Sequence, residues 1–401
     1  MLDRVSSWFR KGNSAYCNKE FRQDWAAFVN CFVDTLHADG ASVPAPDTKI
    51  EPLTTFLPAA ARLVAIGDLH GDMGKTRRAF RIGGLIDHQD RWSGGTTTAV
   101  QVGDQLDRGD NEVQILYFLE RLQKEAAAAG GALHILNGNH ETMNVGGRFR
   151  YATAPGRIDF LRWQLVQSIG ASLKAKCGCS GADKDMQASA LHLPPNLMQA
   201  ANIARLAALQ PGGHIAQRFI ARHHTVLQIG STVFVHGGIL PSHADYGLER
   251  INRESQQWIS GQSPQQEPAF LGGRSAVVWA REYSTEDARR CDCNALQEAL
   301  NKIPGSKRMV VGHTIQEQGI NSACAERVFR IDVGMSKGCG NGEPEVLEIV
   351  NDSTVRRLHE PRAVNQGEPK APDTPQGEST KGPDLPPWPQ DKQPQPVAVQ
   401  A

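Results

Sequence analysis

Five times along this chain a short apolar run stops beside a glycine, and each time a side chain able to bind a metal stands at the turn. RLVAI runs into GDLHGD, which presents Asp68 and His70. TTAVQV runs into GDQLDRGD, which presents Asp104, Asp107 and Arg108. ALHILN leads to GNHE with Asn139, His140 and Glu141, STVFV leads to HGG with His236, and RMVV leads to GHT with His313. Runs of this kind, rich in β-branched residues and bounded by turns, read as strands buried on both faces. In open α/β sheets, sites form beyond the carboxyl ends of the strands. Whatever fold the chain adopts must therefore bring five strand ends together.

The donors at those ends are oxygen and imidazole nitrogen, which Mn, Fe and Zn accept. They outnumber what one ion needs, so two divalent metal ions sharing a carboxylate is the natural inference. Such pairs sit about 3.5–4 Å apart and clamp an in-line displacement at phosphorus. An isolated Asp before a turn is ordinarily a cap or a turn former. Repetition of one strand-end context favours the ligand reading for Asp68, Asp104, Asn139, His236 and His313.

Around these runs lie helical patterns such as EVQILYFLERLQKEAAAA, whose Ile115, Leu116, Leu119 and Leu122 form one apolar stripe. TVLQIGSTVFV reads as a hairpin turning at Gly230-Ser231. VFRIDV, EVLEIV and TVRRLH suggest further antiparallel pairing near the end. The sum is an α/β fold with one main domain, a β-sandwich of two face-to-face sheets with helices outside. Residues 1–57 read as a lead-in with one helix, in which Phe21, Trp25, Phe28, Val29 and Phe32 share a face that expects core packing. Residues 58–360 form the main domain, with an insertion at about 152–222. Ten of the 23 prolines fall after His359, so residues 361–401 read as a disordered Pro-rich tail. Its PPWP run is a candidate ligand for a partner.

Forty-three basic residues balance 43 acidic ones in a chain of 401, so no net charge points to nucleic acid or a membrane surface. No apolar run reaches the ~20 residues of a membrane span, and the N-terminus lacks the apolar core of a secretory signal. A cytoplasmic protein is expected, with the mitochondrial intermembrane space as the alternative. Among eight cysteines, Cys177 with Cys179 and Cys291 with Cys293 make tight pairs, open to three readings: reduced thiols, zinc ligands or disulfides.

GDLHG, GDQLDRG, GNHE, HGG and a late GHT, in this order, resemble the phosphoprotein phosphatase branch of the calcineurin-like metallophosphoesterases. LVAIGDLHGD, VQVGDQLDRGD, NGNHETMNV, VFVHGGI, VVGHTIQ and RIDVGMSKGCG are most similar to the Shewanella-like protein phosphatases. RWSGGTTTAVQVGD, CDCNALQEAL and PEVLEI look most like their plant branch without a plastid transit peptide. The resemblance implies a dinuclear metal centre, most simply of Mn, with Fe or Zn as alternatives. Asp68 and His70 would hold one ion, Asn139, His236 and His313 the other, and Asp104 both. A hydroxide between the ions would be the nucleophile, His140 the general acid and Asp107 its orienting carboxylate. Arg108 would grip phosphate oxygens; Arg281 is the choice for a second phosphate arginine, with Arg274 competing. The aromatic SAPNYCG segment of the better-known serine/threonine phosphatases has no match here; RIDVGMSKGCG takes its place.

The expected activity is hydrolysis of phosphate monoesters on protein Ser, Thr or Tyr. A small-molecule phosphohydrolase acting on a nucleotide or dinucleoside polyphosphate is the alternative. A silent scaffold is a third, against which the intact donor set counts. Other polar residues have plainer readings. His223 and His224 are expected to pack or lie at the surface, His134 to pack, Glu141 to hold loop backbone, Asp72 to support the site from behind the ligands or to cap a helix, Lys337 and Arg148 to be solvated or paired, and Met335 and Phe149 to pack.

Overall fold

The computed structural model describes residues 19–38, 40, 49–176, 194–263 and 266–360. Cys17, Cys177, Cys179, the side chain of Phe21 and the Pro-rich tail lie outside these. The strands are β1 Phe56–Leu57, β2 Arg62–Ile66, β3 Thr98–Gln101, β4 Ala132–Ile135, β5 Val226–Ile229, β6 Thr232–Val235, β7 Arg308–Val311, β8 Asn321–Ala323, β9 Val328–Arg330, β10 Glu345–Val350 and β11 Thr354–His359. One sheet has the order β1-β5-β6-β7-β9-β8 and the other β11-β10-β2-β3-β4. All five runs that precede the glycine turns are strands.

Within each sheet the site-bearing strands run parallel: β2 with β3 and β4, and β6 with β7 and β9. Parallel neighbours place their carboxyl ends at one edge, so Gly67, Gly103 and Gly138 emerge side by side from one sheet and Gly237 and Gly312 from the other. The edges are stitched together beyond β4, where Asn137 N–H donates to the carbonyl of His224 at 2.7 Å and His224 N–H to that of Ile135 at 2.9 Å.

Side-chain alternation explains why β6 and β7 read as continuous apolar runs. Phe234 and Val310 enter the core between the sheets with Ile66, Val100, Ile135 and Leu347. Their neighbours Val233, Val235, Met309 and Val311 point the other way, onto Ile251, Leu296 and Leu300 of flanking helices. Both faces are buried, so no polar positions alternate with apolar ones.

Ten α-helices are described: α1 Lys19–His37, α2 Met73–Ile82, α3 Glu112–Ala128, α4 Asn139–Val145, α5 Ala154–Ala175, α6 Leu197–Leu209, α7 His214–Arg218, α8 Pro241–Tyr246, α9 Leu248–Ile259 and α10 Cys293–Lys302. The α3 stripe Ile115, Leu116, Leu119 and Leu122 is buried as its spacing predicts. None of the described helices is long and apolar enough to cross a membrane.

Three expectations need correction. On α1 the buried apolar residues are Val29 and Val33, while Phe28 and Phe32 are 61% and 48% exposed. The seam is narrow because Val33 lies against Gly170 of α5, where a Cβ would come within 2.7 Å of it. It is also anchored by a polar group: Asp34 accepts from Tyr117 of α3 at 3.1 Å and from Arg218 of α7 at 2.7 and 3.0 Å. Second, VFRIDV finds the antiparallel pairing expected of it, but with the short β8 and not with the two last strands. Its β9 lies in the other sheet, parallel to β7 and antiparallel to the short β8, while β10 and β11 pair with each other as expected. Third, Cys293 bonds Cys324, not Cys291. The bridge ties the start of α10 to the β8–β9 turn, and the Cys291 thiol instead donates to the Tyr283 carbonyl at 3.1 Å.

Candidate metal centre

Five of the predicted site residues leave their strands in the left-handed region: His70 (φ 44°), Asp104 (φ 55°), Asp107 (φ 66°), Arg108 (φ 64°) and His313 (φ 68°). Side chains other than glycine seldom adopt this conformation, and where they do the surroundings must enforce it. Here Glu141 supplies much of that enforcement. Its carboxylate accepts backbone N–H groups from Gly138 at 2.7 Å, Asp104 at 2.8 Å, Gln105 at 2.9 Å and Leu106 at 3.0 Å. Leu69 and His70 N–H donate to the Asp104 carbonyl at 3.0 and 2.8 Å, binding the β2 and β3 loops. Glycine at 103 lets the loops close. A Cβ there would lie 2.7 Å from the Gly138 nitrogen and 2.9 Å from His236 Nδ1.

These turns bring Asp68, His70, Asp104, Asn139, His140, His236 and His313 into one buried cluster. Asp104 Oδ2 is its centre, 3.2 Å from His236 Nε2, 3.5 Å from His70 Nε2 and 3.8 Å from His140 Nε2. Asn139 Oδ1 lies 2.9 Å from His236 Nε2. Two groups have ligand atoms within 4.8 Å of one another: His70, Asp104 and His140, and Asp104, His236 and His313. Asp104 belongs to both. Asp68 stands beside them, accepting the His313 N–H at 3.2 Å.

Imidazole orientation suits a cation. His70 and His236 each place Nδ1 at 3.0 Å from a backbone carbonyl, of Leu106 and Val102 respectively. A carbonyl only accepts, so Nδ1 carries the proton and Nε2 is the nitrogen left to ligate. The His313 Nε2 is buried with no hydrogen-bond partner.

Burial lowers His70 to about 4 and takes His313 well below its ordinary value, so both imidazoles are neutral. Burial also acts against a charge on His236, but Asp104 and Asp68 outweigh it and raise this imidazole to about 10. Asp104 is itself held well below the ordinary carboxylate range: burial opposes its ionisation, and His236 and His140 overcome that. Burial and neighbouring negative charge raise Asp68, Glu141 to about 7 and Asp332 to about 6. This concentration of acid in a low dielectric is an environment that a cation relieves.

At the edge of the cluster, His140 Nδ1 meets Asp107 Oδ2 at 2.7 Å. Burial lowers the His140 pKa, but the charge of Asp104 and the Asp107 hydrogen bond prevail, so it stands above its usual value. The Arg108 guanidinium lies 4.9 Å from the Tyr151 ring centroid, and its buried Nε has no hydrogen-bond partner. Arg281 meets the cluster through the backbone of one donor residue and the side chain of its neighbour. It reaches the same rim by donating to the His313 carbonyl at 3.2 Å and Thr314 Oγ1 at 2.8 Å, while Arg274 is exposed elsewhere on its loop.

Of the plainer readings, Asp72 caps α2 by accepting Lys75 N–H at 3.0 Å, Arg148 pairs with Glu267, and His223, His224 and Met335 are buried. Three residues near the site escaped sequence reading. Asp332, in RIDVG, is a buried carboxylate beside Asp68. Tyr151 places its ring 5.0 Å from that of His140. Arg205, fully buried on α6, donates to Asp107 Oδ1 at 2.9 Å. Its signal was a charged residue in the apolar stripe Ala201, Ala204, Ala208 and Leu209.

The calcineurin-like phosphoesterase profile matches residues 61–317. "Shewanella-like protein phosphatase 2" of Arabidopsis thaliana is 48% identical over 355 residues, covering 86% of this chain and 90% of that protein. "Shewanella-like protein phosphatase 1" of Plasmodium berghei is 28% identical, covering 71% and 69% respectively. A crystal structure of a cold-active protein-tyrosine phosphatase from a psychrophilic Shewanella shares the fold, with a TM-score of 0.53 and 22% identity over 79% of this chain and 87% of that one. With nearly half the residues identical to the Arabidopsis protein over most of both chains and the profile spanning most of this one, the protein belongs to the calcineurin-like phosphoesterases and, within them, to the Shewanella-like protein phosphatases.

Proposed function

We propose that the protein hydrolyses phosphate monoesters on protein serine, threonine or tyrosine with the help of two divalent cations. The observation that carries this reading is the single carboxylate, Asp104, common to two donor groups, with the His140–Asp107 pair at their edge. Asp68 and His70 would hold one cation, Asn139, His236 and His313 the other, and Asp104 would serve both. The free His313 Nε2 and the fixed tautomers of His70 and His236 fit this assignment. The mixed oxygen and nitrogen set suits manganese, with iron or zinc accepting the same donors. When bound, the cations activate water for attack at phosphorus and offset charge on the phosphoryl oxygens.

The chain's own groups do the rest. Arg108 and Arg281 grip phosphate oxygens and orient the ester. His140 gives its Nε2 proton to the leaving oxygen as the P–O bond breaks, and Asp107 keeps Nδ1–H pointed away so that Nε2 is the face presented. Residues 58–360 are the catalytic domain, with a cap-like insertion at about 152–222, preceded by a lead-in at 1–57 and followed by the Pro-rich tail at 361–401. The tail's PPWP run remains a candidate partner ligand. The Cys293–Cys324 bridge favours the intermembrane space over the cytoplasm, since cytosolic thiols are kept reduced.

The deciding experiment supplies Mn to purified protein, counts bound metal, and follows phosphate release from phosphoserine, phosphothreonine and phosphotyrosine peptides. Two ions per chain and turnover on at least one peptide are expected; protein that binds no metal and releases no phosphate would sink the reading.

The protonation of His236 gives a second test. Its imidazole has an ordinary value of 6.5 and is raised to about 10 in the fold, so it stabilises the metal-free protein fully below pH 6.5 and progressively less as pH rises through 10. His140 is shifted in the same direction. A cation needs His236 deprotonated and replaces what is lost. The rise in melting temperature on adding Mn should therefore grow from about pH 6.5 to about 8.5. A rise that is constant over that interval would count against a metal at His236.

A further inference from the structure

Arg205 does more than fill a polar gap. Its guanidinium spends every face on fixed partners: Nη1 and Nη2 donate to the two oxygens of Glu112 at 2.9 and 2.7 Å, Nη2 also donates to Asp107 Oδ1 at 2.9 Å, and Nε donates to Asn144 Oδ1 at 2.9 Å. Its flat faces are covered, with the Phe160 ring centroid at 4.5 Å and that of Phe149 at 5.5 Å. The contact with Asn144 sets that amide's direction: its oxygen faces Arg205, so its NH2 donates to Asp107 Oδ2 at 3.0 Å and to the His140 carbonyl at 2.8 Å. Glu112 closes the ring by accepting the Asp107 N–H at 2.9 Å.

Asp107 is thus gripped at both oxygens and at its backbone, with one remaining direction, toward His140 Nδ1. Two buried carboxylates, Asp107 and Glu112, stand side by side, and Arg205 is the cation paired with both. Removing the fork would free Asp107 Oδ1 and the Asn144 amide to turn, and a rotated Asp107 breaks the contact that aims the imidazole. Lysine cannot replace the fork, because a single ammonium cannot reach Glu112, Asp107 and Asn144 in one plane.

We propose that Arg205, delivered from the insertion, is a positioning residue for the leaving-group acid: it holds Asp107 in the one rotamer that presents His140 Nε2 to the departing oxygen. This rests on the proposed function above. The proton still moves from His140 to the leaving oxygen; Arg205 exchanges none.

The test compares R205Q, H140N and the double variant, loaded with Mn, on a phosphoserine peptide and on p-nitrophenyl phosphate. An alkoxide leaving group needs the proton and a nitrophenolate hardly does. R205Q should retain both metals, lose about 10- to 100-fold in kcat on the peptide and less than about threefold on the nitrophenyl ester. The double variant should be no slower than H140N beyond about twofold, since both changes disable one device. In the Zn-loaded protein, the His140 Nδ1 proton should exchange with solvent faster in R205Q. Equal losses on both substrates, or a double variant carrying the two losses multiplied, would overturn the proposal and leave Arg205 a structural residue. Where R205Q does not fold, R205K, which keeps the buried charge, takes its place in the same cycle with the same two outcomes. If H140N itself shows no dependence on leaving group, the acid assignment fails and Arg205 falls with it; if H140N shows it and the Arg205 variant does not, only the present proposal fails.

Discussion

Asp104→Asn is expected to cost metal retention and turnover together, with turnover falling on the order of 10³-fold. Asparagine keeps the size, tolerates the left-handed backbone at φ 55°, and still offers an oxygen to the His140 N–H that Asp104 Oδ1 accepts at 3.0 Å. What it removes is the charge at the oxygen nearest three imidazoles. The change is therefore a test of charge sharing with little change of shape. Metal analysis beside kcat/KM on a phosphopeptide reads both effects. A variant that keeps two ions and turns over within about tenfold of wild type would remove Asp104 from the centre of the scheme.

His140→Asn should separate what Asp104→Asn joins. Both ions stay, while kcat on an alkyl phosphate falls by about 10²- to 10⁴-fold, the usual contribution of a positioned acid. The nitrophenyl ester should lose far less. His140 Nε2 also lies within reach of His70 and Asp104, so metal content is the discriminating measurement. Loss of one ion in this variant would make His140 a ligand and not an acid.

The centre was legible because its donors are local in sequence. A strand, a glycine and a donor fit in a few residues, and the parallel strands then do the gathering. That is why Asp68, Asp104, Asn139, His236 and His313 could be read without knowing which strand neighbours which. Arg205 could not: it meets Asp107 across 98 residues of sequence, through the packing of α6 on α4 and α5, and nothing near it repeats. Asp332 escaped because its strand, β9, ends without a donor motif of its own. The α1 stripe misled for a different reason. Periodicity marks which residues share a face, but the width of the seam is decided by the partner, and Gly170 made it one residue row wide. Cys324 was invisible as a partner of Cys293 because proximity along the chain favoured Cys291.

The left-handed turns have a consequence for which letters a site like this can be written in. Among residues other than glycine, asparagine, aspartate and histidine are the ones that visit that conformation most readily, and they are also the donors a hard or borderline cation accepts. At His70, Asp104 and His313, in the proposed assignment, one side chain would answer both demands. A glutamate offers the same carboxylate but lacks the short side chain that makes the turn tolerable, so chemical equivalence is not interchangeability here: the short motifs are spelled by the shape of the peptide as much as by the ion it surrounds.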